Sequence, residues 1–247
     1  MKTNILSILS VVLLSALVIG CGSGSKNEVL YMVTEATFPP YEFRQGDDIV
    51  GIEVDIVKEI AKELGRPLKM EDMKFDSVIP CVQSGKADFA ASGITVTEDR
   101  KKNVDFSIPF VKTGLVIVCR KDAPVANAAD LKGKTIGVQS SSTSDIYVTQ
   151  NICEPDRYEN APLAVQALRA KRVDAVVCDQ DPAYAMAKND ESIMILPELL
   201  TEEEYAIAFK KGSPLVEAAN KVIERMKADG SLEASLKKWR AEMPSAD

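Results

Sequence analysis

One short pattern occurs twice in this chain. Ser84-Gly-Lys-Ala-Asp-Phe-Ala-Ala-Ser-Gly93 and Lys171-Arg-Val-Asp-Ala-Val-Val-Cys-Asp179 each follow a helical stretch, Phe75–Val82 and Pro162–Ala170. Each passes from a basic residue through an aspartate into a short apolar run, which delivers polar groups at its end. A helix feeding a buried strand, repeated, reads as two variants of one α/β unit. In open α/β sheets ligands sit beyond the carboxyl ends of strands. The first unit delivers Gly93, Thr95 and Arg100 there, and the second delivers Asp179.

The types of residue at these strand ends suit the capture of a carboxylate. Gly93 lets a ligand approach the backbone. The Thr95 hydroxyl is expected to donate one hydrogen bond. The Arg100 guanidinium offers a planar fork that matches a carboxylate. Each alone has an ordinary structural reading as a loop or surface residue. A second strand-end loop, Gln139-Ser-Ser-Ser-Thr-Ser144, contains Gln139, Ser142 and Thr143 and reads into a helix. A helix N-terminus is a site for a negative group; the alternative is a flexible serine linker. Near the start, Val29–Val33 reads as a strand running into Thr34–Phe43, where Pro39-Pro40 predicts an irregular loop. Glu35, a carboxylate at a strand end, needs a partner that a cationic ligand would supply. Phe38 and Tyr41 read as aromatic walls of a pocket or as plugs of the sheet edge.

The remaining periodicity is that of a core. Gly51–Leu64 is a helix with Val54, Val57, Ile60, Ala61 and Leu64 on one face, an acidic start, and Gly65 and Pro67 as its stop. Strands are expected at Leu68–Met70, Leu115–Val118 and, as one returning strand, Glu202–Phe209. Asp76 is expected to cap the helix at Phe75, and Asp181-Pro182 to begin another. Ser213-Pro214 opens a helix that Gly230 ends, and Leu232, Leu236 and Trp239 form a last helical stripe.

Composition excludes several classes. The chain has 37 acidic against 30 basic residues, the opposite of a nucleic-acid footprint. It has no histidine, which removes the commonest general base and metal ligand. No metal site and no cofactor are expected. Lys2 followed by the apolar run Ile5–Ile19 has the proportions of a signal peptide over residues 1–20. Val18-Ile19-Gly20-Cys21 resembles the lipobox of bacterial lipoproteins, which implies cleavage before Cys21 and a lipid on its sulfur. Residues 21–27 would be a flexible tether to the membrane. An ordinary secretory signal with an incidental cysteine is the alternative. Export permits disulfides among Cys81, Cys119, Cys153 and Cys178, with three pairings open, and the spacing fits no zinc pattern. Cys81, Cys119 and Cys178 lie in apolar surroundings, so buried free thiols are expected.

The Gly51-Ile-Glu-Val-Asp-Ile-Val-Lys-Glu-Ile-Ala stretch resembles the signature of the family 3 bacterial solute-binding proteins, the polar amino-acid receptors of ABC importers. The resemblance continues through Ala36–Phe43, Phe75–Pro80, Ile94–Arg100, Val104–Phe110, Leu131–Val138, Val173–Val177 and Tyr205–Gly212. It implies a periplasmic-binding-protein-like fold of type II: two α/β lobes joined by two hinge strands and closing on a ligand. Lobe 1 would be residues 28–110 and 206–247, the hinge 111–114 and 201–205, and lobe 2 residues 115–200. By resemblance, Arg100 takes the α-carboxylate, helped by Thr95 and by backbone at Gly93 and Thr143. Asp179 takes the α-ammonium, and Phe38 and Phe75 sandwich the ligand. Glu35 lies where basic-amino-acid binders often carry a carboxylate, and Thr34–Glu42 with Gly137-Val-Gln139 resemble arginine-binding members. A lipid-anchored monomer is implied, in the periplasm or on the outer face of the cell membrane. It would bind arginine or another basic amino acid and deliver it to importer membrane subunits. Ser140-Ser-Ser-Thr departs from the family's glycine-containing turn, and Cys178 sits beside Asp179. Either feature would reshape the pocket toward glutamine, histidine or another polar ligand. The rival classes are a cyclohexadienyl-dehydratase-like enzyme on the same fold and a ligand-sensing module for a separate partner.

Overall fold

In the computed structural model, residues 28–188 and 190–241 are described. The expected signal peptide, the expected lipid site at Cys21 and the expected tether lie outside these residues. The strand expected near the start is β1 (Leu30–Thr34), buried except at Tyr31. The stretch after it is more regular than Pro39-Pro40 suggested. β2 (Thr37–Phe38), β3 (Glu42–Gln45) and β4 (Asp48–Val50) form a small antiparallel sheet. The prolines occupy the β2–β3 turn, where a missing N–H removes no ladder bond. α1 (Ile52–Leu64) ends at Gly65 in the left-handed conformation, as its stop signal indicated. β5 (Leu68–Asp72), α2 (Phe75–Gln83), β6 (Phe89–Ala90), α3 (Glu98–Asn103) and β7 (Val104–Phe106) complete this part of the chain. Asp76 does not cap α2; Lys74 holds that position, and no side chain caps the helix. The short α3, not separated in the sequence, begins where the Thr97 hydroxyl accepts the Arg100 N–H.

β8 (Val111–Thr113) leads into the second unit. This contains β9 (Leu115–Arg120), β10 (Ile136–Gln139), α4 (Thr143–Asn151), β11 (Asp156–Tyr158), α5 (Ala161–Arg169), β12 (Ala175–Asp179), α6 (Gln180–Ala187) and β13 (Ile193–Ile195). The chain returns through β14 (Glu203–Tyr205) to β15 (Ala208–Lys210), α7 (Leu215–Ala228) and α8 (Ser231–Arg240). The single returning strand is therefore two strands. β14 pairs with β8, whereas β15 enters the first sheet between β6 and β7. Between them the backbone turns to other partners: Ala206 N–H to Ile94 O and Ile207 N–H to Ser107 Oγ.

The repeated pattern is a repeated structure. The sheets run β5-β1-β6-β15-β7 and β11-β10-β12-β9-β13, and corresponding pairs share the same parallel or antiparallel sense. The two pattern aspartates do the same work. Asp88 N–H donates to Tyr31 O, and its Oδ2 accepts Tyr31 N–H at 2.8 Å. Asp174 N–H donates to Thr135 O, and its Oδ2 accepts Thr135 N–H at 2.9 Å. Each clamp sets a strand beside its parallel neighbour before the ladder begins. The first sheet is covered by α1, α7 and α8 on one face and by α2 on the other. The second is covered by α5 and α6 on one face and by α4 on the other.

All four cysteines among the described residues are free. Cys119 and Cys178 are buried, but Cys81 is only partly so, because α2 turns that side to an open outer groove. Gly51 has φ 136°, and a Cβ there would lie 2.1 Å from the Tyr41 carbonyl oxygen. Gly51→Ala is expected to destabilise the protein by about 2–4 kcal/mol through strain and that clash. Urea unfolding measures this; a loss below about 0.5 kcal/mol would contradict the close approach.

Candidate functional site

The carboxyl ends of β1, β6, β10 and β12 converge on a small, nearly closed cavity between the two units. From the first unit Glu35, Phe38, Phe75, Gly93, Thr95 and Arg100 line it. From the second come Gln139, Ser142, Thr143 and Asp179. All ten site residues expected from sequence thus meet in one place, joined by Ser92, whose Oγ accepts the Glu35 N–H. A larger, open groove runs along α2 and β1, and none of the ten lines it.

The units are drawn together across this cavity. Arg100, buried on α3, donates from Nη1 to Thr95 O at 3.0 Å and from Nη2 to Ser141 O of the other unit at 3.4 Å. Its guanidinium stands 5.5 Å from the Phe75 ring centre. Gln139 Nε2 donates to Glu35 Oε2 at 3.3 Å, again across the cleft. At the rim, Asp181 of α6 accepts from Tyr41 and from Arg240 of α8. Tyr41 is therefore neither a pocket wall nor merely a plug; its hydroxyl joins the units. Lys74 pairs with Glu159 at 2.6 Å on the outside.

Several hydrogen-bond roles differ from expectation. The Thr95 hydroxyl donates to Glu203 Oε2 at 2.6 Å, so its proton is committed and it turns only lone pairs to the cavity. The Thr143 hydroxyl donates to the same oxygen at 3.0 Å, and Thr201 donates to Glu203 Oε1 at 3.1 Å. Gly93 N–H is also committed, to Glu53 Oε1 at 3.1 Å, leaving the carbonyl as the group this residue can offer. Ser142 lines the cavity but uses its hydroxyl to cap α4, accepting from Asp145 N–H and donating to Gln139 O. The donors left for an anion are the remaining Arg100 N–H groups, the Thr95 N–H and the Thr143 N–H at the α4 N-terminus. Neither backbone group has a protein acceptor among the described residues. The acceptors left for a cation are Glu35, Asp179, Gly93 O and Thr95 Oγ1. Cys178 does not join them. Strand alternation turns it to the opposite face, into the core with Val116 and Val176, and burial raises its thiol pKa.

Two buried groups escaped the sequence reading. Glu203 and Tyr205 face inward from β14, and the Tyr205 hydroxyl donates to Asp179 Oδ1. Period-two alternation with Ile207 was the available signal: it puts Glu203 on an apolar face, where an acid needs a purpose. Burial, then the nearby Glu203 charge, raises the Asp179 pKa to about 7, against the opposing effects of Tyr205 and Arg100. Burial also raises Glu35, with Thr37 and Gln139 opposing and Asp72 and Glu159 adding to the rise. Burial lowers the Arg100 pKa, while Glu203 and Asp179 oppose that shift. Among the described residues no group of three or more His, Cys, Asp or Glu is placed to hold a metal ion.

The family model for bacterial extracellular solute-binding proteins, family 3, matches residues 30–242. The arginine-binding extracellular protein ArtP of Bacillus subtilis (strain 168) is 35% identical over 226 residues, covering 88% of this chain and 88% of its own. A crystal structure of a mutant ArgBP from T. maritima superposes with TM-score 0.83 at 38% identity, covering 86% of this chain and 95% of its own. An ancestral arginine-binding protein bound to glutamine superposes with TM-score 0.80 at 41% identity, covering 85% and 97%. The fold is accordingly the two-lobed periplasmic-binding-protein fold expected from sequence.

The raised Asp179 pKa has a definite sign for stability. Between about pH 4 and 7 the ligand-free folded state holds a proton that the unfolded state has lost, so this group destabilises the fold as pH rises through that window. Asp179→Asn is expected to melt above wild type at pH 8, by the equivalent of about 2–4 kcal/mol, and to lose that advantage near pH 4. Ligand-free melting curves at the two pH values check this; a constant difference would show that Asp179 is not perturbed.

Proposed function

Because the chain belongs to the bacterial extracellular solute-binding proteins, family 3, we propose that it is a non-catalytic, monomeric receptor that closes on one basic amino acid, arginine foremost, and delivers it to the membrane subunits of an ABC importer. The observation that carries the ligand is Glu35. It is buried, among the described residues its two oxygens accept only from the neutral Thr37 hydroxyl and Gln139 amide, and the charges that raise its pKa are acidic. A cationic side chain would supply the missing partner. The α-carboxylate would meet Arg100 with the Thr95 and Thr143 N–H groups, and the α-ammonium would meet Asp179, Gly93 O and Thr95 Oγ1. Phe38 and Phe75 would hold the side chain between them. The paired segments at β8 and β14 would be the hinge, residues 111–114 and 201–205. Residues 28–110 with 206–247 would form one lobe, and 115–200 the other. Ligand then favours closure because only the closed state brings both lobes to it. Cys21 would carry the lipid; a Cys21→Ser variant should lose incorporation of labelled palmitate.

Glutamine is the second reading. A side-chain amide can donate to Glu35 without a charge, and the related ancestral protein was solved with glutamine bound. An enzyme acting on prephenate-like acids would have no ammonium for Asp179 to hold.

Calorimetric titration of protein refolded after complete unfolding should show tight arginine or lysine binding. Arg100→Ala should cost roughly 2–5 kcal/mol, and a change under about threefold would remove Arg100 from the site. Glu35→Gln should weaken arginine by about tenfold or more and leave glutamine within about threefold, because only arginine loses a charge-assisted bond. Equal losses would make Glu35 structural. Since Glu35 and Asp179 must both be ionised to bind, arginine affinity should fall as pH drops below about 7.

A further inference from the structure

Behind the cavity wall lies a second pair of carboxyls that the binding reading does not use. Glu42 on β3 and Glu53 in the first turn of α1 are both 0% exposed. Read from sequence, Glu53 belonged to an acidic helix start; its side chain is fully buried in the first unit. Glu53 Oε1 accepts the Gly93 N–H, but Glu53 Oε2 and both Glu42 oxygens have no donor among the described residues. Glu53 N–H donates to Tyr41 O at 3.0 Å, which sets the start of α1 against the start of β3, and the two buried carboxyls act on each other there. Buried carboxylates in contact, without a cation, cannot both be ionised. A proton on one, donated to the other, pairs Glu53 Oε2 with one Glu42 oxygen and leaves the second Glu42 oxygen as a neutral carbonyl, whose burial costs far less than that of a charge.

We propose that Glu42 is held protonated and donates to Glu53, and that Glu53 is thereby a positioning residue for ligand binding: it anchors Gly93 so that its carbonyl faces the ligand ammonium. Gly93 needs such an anchor. It sits at φ 53° beneath Phe38, where a Cβ would lie 2.4 Å from the ring, so no side chain of its own restrains it. Its N–H is the polar contact that ties it to α1. The charged groups acting on Glu42 are Glu53, Glu35 and Asp179, all acids, and burial is the largest influence on both members of the pair. Each of these effects favours the neutral form, and the Gly93 N–H favours charge on Glu53 rather than on Glu42. The acid is therefore Glu42 and the acceptor Glu53. The positioning half rests on the amino-acid reading of the cavity; the proton half does not.

The proton is tested without ligand. Glu42→Gln replaces a protonated carboxyl by an amide that can still donate to Glu53. Wild type must carry the Glu42 proton into the folded state at every pH above the ordinary carboxylate range, and the variant has no such group; the burial that raises Glu53 is common to both. The sign follows from linkage: wild-type stability falls with rising pH by a contribution the variant lacks. The melting temperature of E42Q relative to wild type should therefore rise steadily from pH 5 to pH 8. A pH-independent difference would overturn the protonated Glu42.

Positioning is tested by comparing arginine with δ-guanidinovalerate, which is arginine without its α-amino group. Glu53→Met removes the acceptor for Gly93 at similar side-chain length. It should weaken arginine by about tenfold or more and δ-guanidinovalerate by less than about threefold. Glu53→Asp keeps the charge but withdraws it by one methylene, and should show the same selective loss, so the result does not hang on E53M folding. Equal losses for the two ligands in E53D would make Glu53 merely structural. Wild type that bound neither ligand would overturn the proposed function and the positioning role together, while the E42Q melting comparison would still decide the proton.

Discussion

Arg100 stands among the buried carboxylates of Glu35, Asp179 and Glu203. Low-dielectric burial makes this imbalance of charge expensive. Glu203 is relieved locally, by three threonine hydroxyls from both units and the segment between them. Asp179 is relieved in part by the Tyr205 hydroxyl, and Glu35 by one hydroxyl and one amide. None of those neutral donors cancels a charge. In the proposed reading, a ligand with one negative and more than one positive group would complete the cavity, and the same electrostatics would oppose closing without it.

The fold exists to bring these charges together from distant parts of the chain. Glu35 and Arg100 come from one sheet unit, Gln139 and Asp179 from the other, and Glu203 from the strand that returns between them. Two copies of one α/β construction, each aligned by an aspartate clamp at Tyr31 or Thr135, aim their parallel strand ends at a shared space. β8 and β14 are the sole paired strands between the units among the described residues, and Glu203 lies in one of them. That acid thus sits where a change in the angle between units would be felt by Thr95 and Thr143, the two residues it holds.

Much of this was legible in the chain. The repeated helix-to-strand pattern marks the two units, and the polar residues after each apolar run mark the cavity, because strand ends in such sheets are exposed to a ligand by construction. What was not legible was the assignment of protons and donors. Thr95 reads as a donor to the ligand, but its proton goes to Glu203, 108 residues away. Gly93 reads as open backbone, but its N–H is bound by Glu53 of α1. Tyr41 reads as a wall or a plug, yet its hydroxyl meets Asp181 of the other unit.

The sequence by itself determined the main strands and helices, the doubling of the unit and, by resemblance, the family and residues around the cavity. The elements and the doubling follow from periodicity and residue type, and the family from the order of short motifs, all of which are local properties. Only the tertiary structure decided which hydroxyl donates to which acid, which face carries Cys178, and that Glu42 and Glu53 share a buried space behind Gly93. A hydrogen has one acceptor and a buried charge needs a partner, and both are chosen by groups that the chain separates and folding brings into contact.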